Sequence, residues 1–426
     1  MVRGRGSLGG RYPPGNNVPM RLGVLDIGSN TVHLLLVDAH PGARPVAFAS
    51  HKRSLSLVQH LDGDGNISDE GQNELVEFVL EAWEFAAKHK AEDLLAFCTS
   101  AIREATNGSE VLARVKHETT VTLRELSGSE EASMTFFAVR RWYGWGAGPM
   151  LNLDIGGGSF EMAYGEDELP ELAMSVPLGA SRLTRDWLPE DPPSAKSVKE
   201  LRSYIRETLR PVVKEFQSLG RANHVAGTSK TFRSLARIAG AAPSGAGPYV
   251  KRELHATDLG LWAQRISAME IEDRLHLPAV SEARAPQLLA GALVAEAALE
   301  MFEFPSLEIC PWALREGLIL RRLDQLVTEG PLEPPPHVAL ASQPAELQAP
   351  DDEAPDDADK TSADKDDDDH DDDSDDEKDD RKKNKEHDDE DTDSDDAAKK
   401  DKDHDAEDAD KKNGHKKGNG KKDKKH

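Results

Sequence analysis

The chain has 426 residues and a formal net charge of −26 at pH 7. Residues 351–426 carry 34 acidic and 18 basic side chains and contain no Val, Ile, Leu, Phe, Met, Trp or Tyr, so they cannot bury an apolar core. We therefore predict a disordered, acidic Asp/Lys-rich tail over 329–426 and about two folded domains before it. The mild acidity of the remainder argues against a nucleic-acid binder, and no apolar run is long enough to span a membrane.

The N-terminal segment and the cysteines indicate the cellular compartment. Residues 1–20 include arginines but no apolar signal-peptide core, so we predict a flexible leader, with Met20 as an alternative translation start. The two cysteines, Cys98 and Cys310, are too few for a disulfide framework in a chain of this length. Together these features predict a cytoplasmic protein.

The first predicted domain, residues 21–143, begins with a strand hairpin and continues with alternating strands and helices. The apolar patterns predict strands at Leu22–Leu25, Val32–Val37, Val46–Ser50, Arg53–Val58, Leu94–Cys98 and Val121–Leu126. Helices are predicted from Asp69 to about His89 and from Glu130 to about Trp142.

The second predicted domain, residues 144–328, repeats this order. Strands are predicted at Leu151–Asp154, Phe160–Tyr164, Met174–Pro177 and Leu307–Cys310, with a strand-to-helix turn at Val225–Lys230 whose helix runs to Ala239. Further helices are predicted at Lys199–Gln217, Ala256–Met269, Ala283–Phe302 and Trp312–Leu326, the last of which is a candidate to complete the first domain. The repetition indicates an α/β protein of two similar halves.

One motif occurs in both halves. Residues Leu22–Thr31 read LGVLDIGSNT and Leu151–Phe160 read LNLDIGGGSF, so each apolar run ends in an aspartate followed by a glycine turn and a hydroxyl residue. Glycines after a strand allow backbone N–H groups to approach a phosphate closely. Two such turns that face each other would hold a phosphate chain from both sides.

Carboxylates near these turns are candidate metal ligands. Asp26 and Asp154 end the two strands, and Glu161 lies on the strand after the second turn. A metal bound by few carboxylates and completed by water and phosphate oxygens is typical of magnesium. The alternative for Glu161 is a solvated strand residue.

Three other side chains are candidates for chemistry at phosphorus. Glu130 and Glu131 open a helix after a glycine turn, where they act either as helix-capping residues or as a base that orients and deprotonates water. Arg103, in a loop that enters a helix, can bind a phosphate with two nitrogens or form a surface ion pair with Glu104.

A second strand-to-helix turn carries hydroxyl and basic residues. Thr228 and Ser229 can donate to an anion or serve as ordinary N-caps. Lys230, Arg233 and Arg237 follow at helical spacing and either line a path for a polyanion or form a solvated face.

These segments together resemble the Ppx/GppA phosphatase family of exopolyphosphatases and guanosine pentaphosphate phosphohydrolases, in particular its short actinobacterial exopolyphosphatases. The matching motifs, in family order, are DIGSNT (26–31), TSAIREA (99–105), SGSEEA (127–132), DIGGGSFE (154–161), PLGASRLT (177–184) and GTSKTFR (227–233). The resemblance implies the actin-like fold of acetate and sugar kinases, in which two ribonuclease H-like domains enclose an interdomain cleft. The longer family members carry further C-terminal domains for which this chain has no counterpart.

The resemblance also implies roles for individual residues. Glu130 would be the catalytic base, supported by Glu131 and Arg103, and Asp154 and Glu161 would associate with Mg²⁺, together with Asp26. The residues that would bind phosphate are Gly28, Ser29, Asn30, Thr31, Gly156, Gly157, Gly158, Ser159, Gly227, Thr228 and Ser229. Homodimerisation is expected from the family likeness alone.

We therefore expect a magnesium-dependent exopolyphosphatase that releases terminal orthophosphate from inorganic polyphosphate, with neither nucleic acid nor membrane as a partner. One alternative is hydrolysis of pppGpp or a nucleoside triphosphate at the same site. A kinase or ATPase of the same fold would need an adenosine pocket, which the basic helix after GTSKTFR does not suggest. A non-catalytic sensor of polyphosphate or alarmones is a further alternative, against which the intact glutamate pair and both aspartates argue.

Overall fold

The computed structural model describes residues 20–40 and 42–329; the predicted acidic tail except Glu329, and all of the predicted leader except Met20, lie outside them. The strands are β1 (Met20–Ile27), β2 (Thr31–Ala39), β3 (Val46–Ser54), β4 (Asp93–Cys98), β5 (Arg124–Glu125), β6 (Met150–Ile155), β7 (Phe160–Gly165), β8 (Leu172–Val176), β9 (His224–Gly227), β10 (Glu253–His255) and β11 (Ser306–Ile309). The helices are α1 (Asp69–Lys88), α2 (Ser100–Arg103), α3 (Gly108–Thr119), α4 (Gly128–Tyr143), α5 (Ala180–Trp187), α6 (Ala195–Ser218), α7 (Lys230–Ile238), α8 (Ala256–Ile266), α9 (Ile271–Leu275), α10 (Leu288–Met301) and α11 (Leu314–Glu329).

The two halves have the same sheet topology. The first sheet has the order β3-β2-β1-β4-β5 and the second has the order β10-β11-β9-β6-β7-β8. In each, an antiparallel meander of three strands is followed by a parallel neighbour on the other side of its first strand, β4 beside β1 and β9 beside β6. This arrangement confirms the prediction of a duplicated α/β fold, and β10 is an addition at the edge of the second sheet.

The glycine turns have matching backbone geometry. Gly28 N–H donates to the carbonyl of Thr31 at 3.2 Å, and Gly156 N–H donates to the carbonyl of Ser159 at 2.9 Å. Each bond closes the hairpin at the carboxyl end of the central strand of its sheet. Ligands of α/β sheets bind at that end of the strands, so both turns lie where a site is expected.

Helix packing joins the two halves. Helix α4 packs on β7 and β8 of the second sheet, and α11 packs against both α4 and β1 of the first sheet. The helices approach so closely that a Cβ on Gly317 would lie 2.0 Å from the carbonyl oxygen of Met134. Helix α10, which is rich in Ala and Leu, is buried along almost its whole length. The domain boundary between residues 143 and 144 remains a prediction.

Several local predictions differ from the structure. The two strands predicted within Val46–Val58 are one strand, β3, followed by a 3-10 turn at Leu57–His60. The strand predicted over Val121–Leu126 is reduced to β5, the predicted loop at Arg103 contains the short helix α2 before α3 begins, and α5 and α9 were not predicted. In the part of the chain that the structure describes, no helix has both the length and the apolar character needed to cross a bilayer.

Candidate active site

The two glycine turns meet at one cleft with a volume of about 360 Å³. A Cβ on Gly157 of the second turn would lie 2.7 Å from Asn30 Nδ2 and 3.0 Å from Ser29 Cβ of the first turn. Only glycine permits such an approach without displacing its neighbours. The predicted site residues that line this cleft are Asp26, Gly28, Ser29, Asn30, Thr31, Glu131, Asp154, Gly156, Gly157, Ser159, Thr228 and Ser229.

Strand register decides what faces each aspartate. Asp26 on β1 pairs with His33 on β2, and Asp154 on β6 pairs with Glu161 on β7. Paired residues of an antiparallel ladder point to the same face of the sheet. The second turn therefore places two carboxylates side by side, whereas the first places a carboxylate beside an imidazole.

Burial raises the pKa of the carboxyl groups at this end of the cleft. The pKa of Asp154 rises to about 6, although the hydroxyl of Thr228 donates to its Oδ2 at 2.6 Å and opposes the shift. The pKa of Glu161 rises to about 7 because of burial, with a further contribution from Asp154. Burial likewise raises the pKa of Asp26. Carboxylates that are buried together in this way are stabilised by a cation.

The adjacent glutamates of α4 face different surroundings. Glu130 is a helix cap: its Oε2 accepts hydrogen bonds from the backbone N–H and the hydroxyl of Ser127, each at 2.9 Å, and Arg124 Nη2 donates to its Oε1 at 2.9 Å. These hydrogen bonds, those from Ser127 first, lower the pKa of Glu130. Glu130 does not line the cleft, because the capping box holds its side chain on the surface. The role of catalytic base that the family resemblance implies for Glu130 stays a prediction.

Glu131 is the glutamate that enters the cleft. Its side chain is 17% exposed, against 45% for Glu130. Burial raises its pKa well above the usual value, Glu161 adds to this shift, and Arg103 opposes it. Arg103 Nη1 lies 3.6 Å from Glu131 Oε2 and also donates to the carbonyl of Leu126 at 2.6 Å. Arg103 thus contacts the site through Glu131 and does not line the cleft itself.

Three other residues that were predicted to belong to the site do not line the cleft. Gly158 lies behind it, where a Cβ would be 2.5 Å from Ser100 Oγ. Gly227 ends β9 inside the core, where a Cβ would be 2.9 Å from both Leu307 and Phe232. Glu161 is buried beneath the second turn, and its Oε1 accepts a hydrogen bond from Ser175 at 2.8 Å.

The turn before α7 combines capping with cleft lining. Ser229 accepts a hydrogen bond from the backbone N–H of Phe232 at 3.4 Å, as an N-cap does, and another from Ile155 N–H at 3.3 Å. Both Thr228 and Ser229 line the cleft. Ser229 is therefore an ordinary N-cap of α7, and both residues also lie where an anion in the cleft would contact them.

A group of basic residues also lines the cleft. Its members are Lys52, Lys230, Arg233, Arg284 and Arg315. Burial lowers the pKa of Lys230 to about 8, and the charges of Arg284 and Lys52 add to the shift. Of the three basic residues that follow the turn at helical spacing, Lys230 and Arg233 line the cleft. Arg237 instead donates to the carbonyl of Ala241 and does not line it. The other three cations come from separate elements and carry no shared sequence signal.

The arrangement of donors fits magnesium better than a metal cage made by protein alone. In 20–40 and 42–329, no three His, Cys, Asp or Glu side chains are grouped closely enough to hold a metal. Magnesium needs only one or two carboxylates when water and substrate phosphates complete its shell. Glu131 Oε2 is buried without a hydrogen-bond partner, and burial raises the pKa values of Asp154 and Glu161, so a cation would stabilise their ionised forms.

Comparison with known proteins places this geometry in a family. The model of the Ppx/GppA phosphatase family matches residues 36–326. Exopolyphosphatase 1 of Mycobacterium tuberculosis is 53% identical over 306 residues, which are 72% of this chain and 89% of that protein.

Solved structures agree with this assignment. The Aquifex aeolicus PPX-GPPA enzyme is 26% identical with a TM-score of 0.60, covering 71% of this chain and 99% of that one. An exopolyphosphatase from Cytophaga hutchinsonii has a TM-score of 0.65 over 72% of this chain and 98% of that one, and at 24% identity it supports the fold alone. Because the family model covers well over half of the chain, and a curated relative is about half identical, this chain belongs to the Ppx/GppA phosphatase family.

Proposed function

We propose that this protein is an exopolyphosphatase that hydrolyses the terminal orthophosphate of inorganic polyphosphate. The observation that carries the proposal is the lining of the cleft, which combines the carboxyl groups of Glu131 and Asp154 with several cations, among them Lys230. A condensed phosphate chain needs both: cations along its length and a base at the phosphorus that is attacked. The naming of the half-identical mycobacterial relative as Exopolyphosphatase 1 supports the same activity.

In this proposal Glu131 acts as the general base. It orients a water molecule in line with the terminal phosphorus and accepts its proton. Arg103, 3.6 Å away, positions the carboxylate. Backbone N–H groups of the two glycine turns, with Thr228 and Ser229, bind the phosphate oxygens on which charge develops.

We propose that Asp154 and Glu161 hold Mg²⁺ together with water and phosphate oxygens, and that the negative charge of Asp26, which acts on Asp154, supports them. When bound, the ion neutralises phosphate oxygens and favours the ionised form of the surrounding carboxyl groups. The hydroxyl of Thr228 donates to Oδ2 of Asp154 and that of Ser175 donates to Oε1 of Glu161, and these bonds orient the two carboxylates.

The test compares the two adjacent glutamates. Glu131→Gln should lower kcat for phosphate release from polyphosphate roughly 10²–10⁴-fold, the typical contribution of a general base, with polyphosphate binding retained. Glu130→Gln makes the same chemical change one residue away, and glutamine also serves in a capping box, so this variant should keep most of the activity. Orthophosphate release and equilibrium binding, measured in magnesium, check both variants.

The outcomes separate the alternatives. Loss of hydrolysis in Glu130→Gln with activity retained in Glu131→Gln would return the role of base to Glu130. A higher kcat/KM on pppGpp than on polyphosphate would favour a pentaphosphate phosphohydrolase. Tight binding of polyphosphate without phosphate release at any chain length would favour a sensor.

A cytoplasmic homodimer completes the proposal. Among the described residues both cysteines, Cys98 and Cys310, are buried and unpaired, which suits a reducing compartment. Sedimentation equilibrium of the full chain checks the dimer, and fractionation of cells that express it checks the location.

A further inference from the structure

A buried amide lies in the layer of side chains directly beneath the carboxyl groups of the second turn. Asn152 is on β6, two residues before Asp154, and pairs with Ala163 on β7 and with Ala226 on β9. Because alternate residues of a strand point to the same face, Asn152 shares the face of Asp154 and Glu161, which helix α4 covers. Its side chain is 0% exposed.

The amide of Asn152 has no hydrogen-bond partner among the residues that the structure describes, neither at Nδ2 nor at Oδ1. A polar group that is buried without partners destabilises the folded state, because it has lost its bonds to water. Elsewhere the same helix meets this requirement: the guanidinium of Arg140, which is also buried, donates to four backbone carbonyls. The amide of Asn152 therefore needs an explanation of its own.

The duplicated fold shows that the sheet itself does not require an amide at this position. Val24 is the equivalent residue of the first sheet, two residues before Asp26 on β1, and it is equally buried. Its neighbours on β2 and β4 are Leu35 and Leu95, so the position is filled by apolar contacts. In the second sheet a polar group stands between two alanines instead. A buried polar group beside small side chains is typical of an internal water site.

The spacing along β6 fits one bridging water. Residues two apart on a strand are separated by about 6.6 Å, and Asn152 forms no direct bond to Asp154. A water that bonds to both groups at about 2.8 Å spans about 5.6 Å, so a small tilt of the side chains closes the gap. Glu131 Oε2 of α4, on which the charge of Glu161 acts, is also buried without a partner. Several polar groups in this region can therefore share a water.

We infer that Asn152 binds an internal water that hydrogen-bonds to the carboxyl groups of Asp154 and Glu161 from the core side. Asn152 is then a positioning residue, since it touches neither substrate nor metal and acts only through the water. The inference rests on the proposed function, in which these two carboxylates hold Mg²⁺. An amide suits the position because it both donates and accepts hydrogen bonds and adds no negative charge to a site that already contains several carboxyl groups.

The experiment compares Asn152→Val, which installs the residue of the first sheet, with Asn152→Ser. Hydrogen bonds behind metal ligands commonly contribute 10–100-fold to affinity, so Asn152→Val should weaken magnesium binding roughly tenfold, measured by calorimetry on the full chain without substrate. It should gain no stability towards denaturant with a chelator present, because the amide is already bonded to water. Asn152→Ser keeps a hydroxyl that can bond to the water, and it should retain most of the magnesium affinity.

The outcomes separate this inference from a merely unpartnered amide and from a packing role. Asn152→Val with raised stability and unchanged magnesium binding would show an amide without a partner and overturn the inference. Equal losses of magnesium affinity in Asn152→Val and Asn152→Ser would indicate packing alone and overturn it too. If Asn152→Val does not fold, a high-resolution crystal structure of the unaltered chain decides, since the inference requires a water within hydrogen-bond distance of both Asn152 and a carboxyl oxygen.

The same measurements distinguish a failure of the proposed function. An unaltered protein that binds magnesium but releases no phosphate from polyphosphate would overturn the proposed function and leave the role of Asn152 standing. An unaltered protein that binds no magnesium would overturn both the metal assignment and this inference.

Discussion

The two glycine turns have the same backbone but different chemical surroundings. Opposite Asp26 lies His33, whose Nδ1 is bonded by Arg315 from α11. Opposite Asp154 lies Glu161, bonded by Ser175 from β8. The aspartate of the first turn is thus paired with an imidazole that an arginine contacts, and the aspartate of the second turn is paired with a carboxyl group.

The two turns also differ in their number of glycines, three in the second turn and one in the first. The second turn has Gly157 and Gly158 where the first has Ser29 and Asn30. The side chains of the first turn occupy the space left by the glycines of the second, as the 2.7 Å approach of Asn30 to a Cβ on Gly157 shows. The two turns therefore share one backbone geometry, and the difference in their side chains allows them to pack closely against each other.

The largest expected effect comes from the residues paired with the two aspartates. Glu161→Gln should lower kcat/KM roughly 100-fold and shift the magnesium dependence to higher concentration, since metal-site substitutions commonly cost 10–100-fold. His33→Gln, at the equivalent position of the first turn, should lower activity less and leave the magnesium dependence unchanged. Phosphate release over a magnesium titration checks both variants, and the same magnesium shift in both would show that the two turns share one role.

Much of the fold could be predicted because it depends on local pattern. The paired Asp-Ile-Gly motifs and the apolar runs before them located β1, β2, β6 and β7 from spacing alone. Short elements were missed because their pattern is too brief, as for β5, whose two exposed residues join the sheet only through β4. Tertiary contacts rather than propensity define such elements.

The site was predictable where it follows strand ends and not where it depends on helix rotation. Successive residues on a helix point about 100° apart, so which of Glu130 and Glu131 faces the cleft depends on how α4 is docked. That helix is packed on two sides, against the second sheet and against α11, so its apolar pattern does not identify one inner face. Lys52, Arg284 and Arg315 meet only in three dimensions.

The next-largest effect concerns the pH dependence of stability. When no metal is bound, this dependence should have opposite signs for the residues Glu161 and His33 of the two turns. The pKa of Glu161 is raised from 4.5 to about 7 in the folded protein, so its contribution to stability falls as the pH rises through that range. Glu161→Gln should therefore stabilise the metal-free protein at pH 8, by on the order of 2 kcal/mol, and have little effect near pH 4.5.

His33 should behave in the reverse sense. Burial lowers its pKa from 6.5 to about 4, with Arg315 adding to the shift, so its contribution falls as the pH drops through that range. His33→Gln should therefore stabilise the protein at pH 5 relative to pH 8. Chemical denaturation at several pH values with a chelator present checks the pair, and parallel pH profiles for both variants would contradict the difference between the turns.

The smallest expected effect concerns a single bond beneath the first turn. Ser29 Oγ and Ser100 Oγ are 3.0 Å apart and buried, and the second turn has no equivalent hydroxyl at Gly157. Ser29→Ala and Ser100→Ala should each lower the free energy of unfolding by about 1 kcal/mol. Because both remove the same bond, the double variant should cost little more than either alone. Fully additive losses in the thermodynamic cycle would mean that the two hydroxyls act separately and that the first turn is held by other contacts.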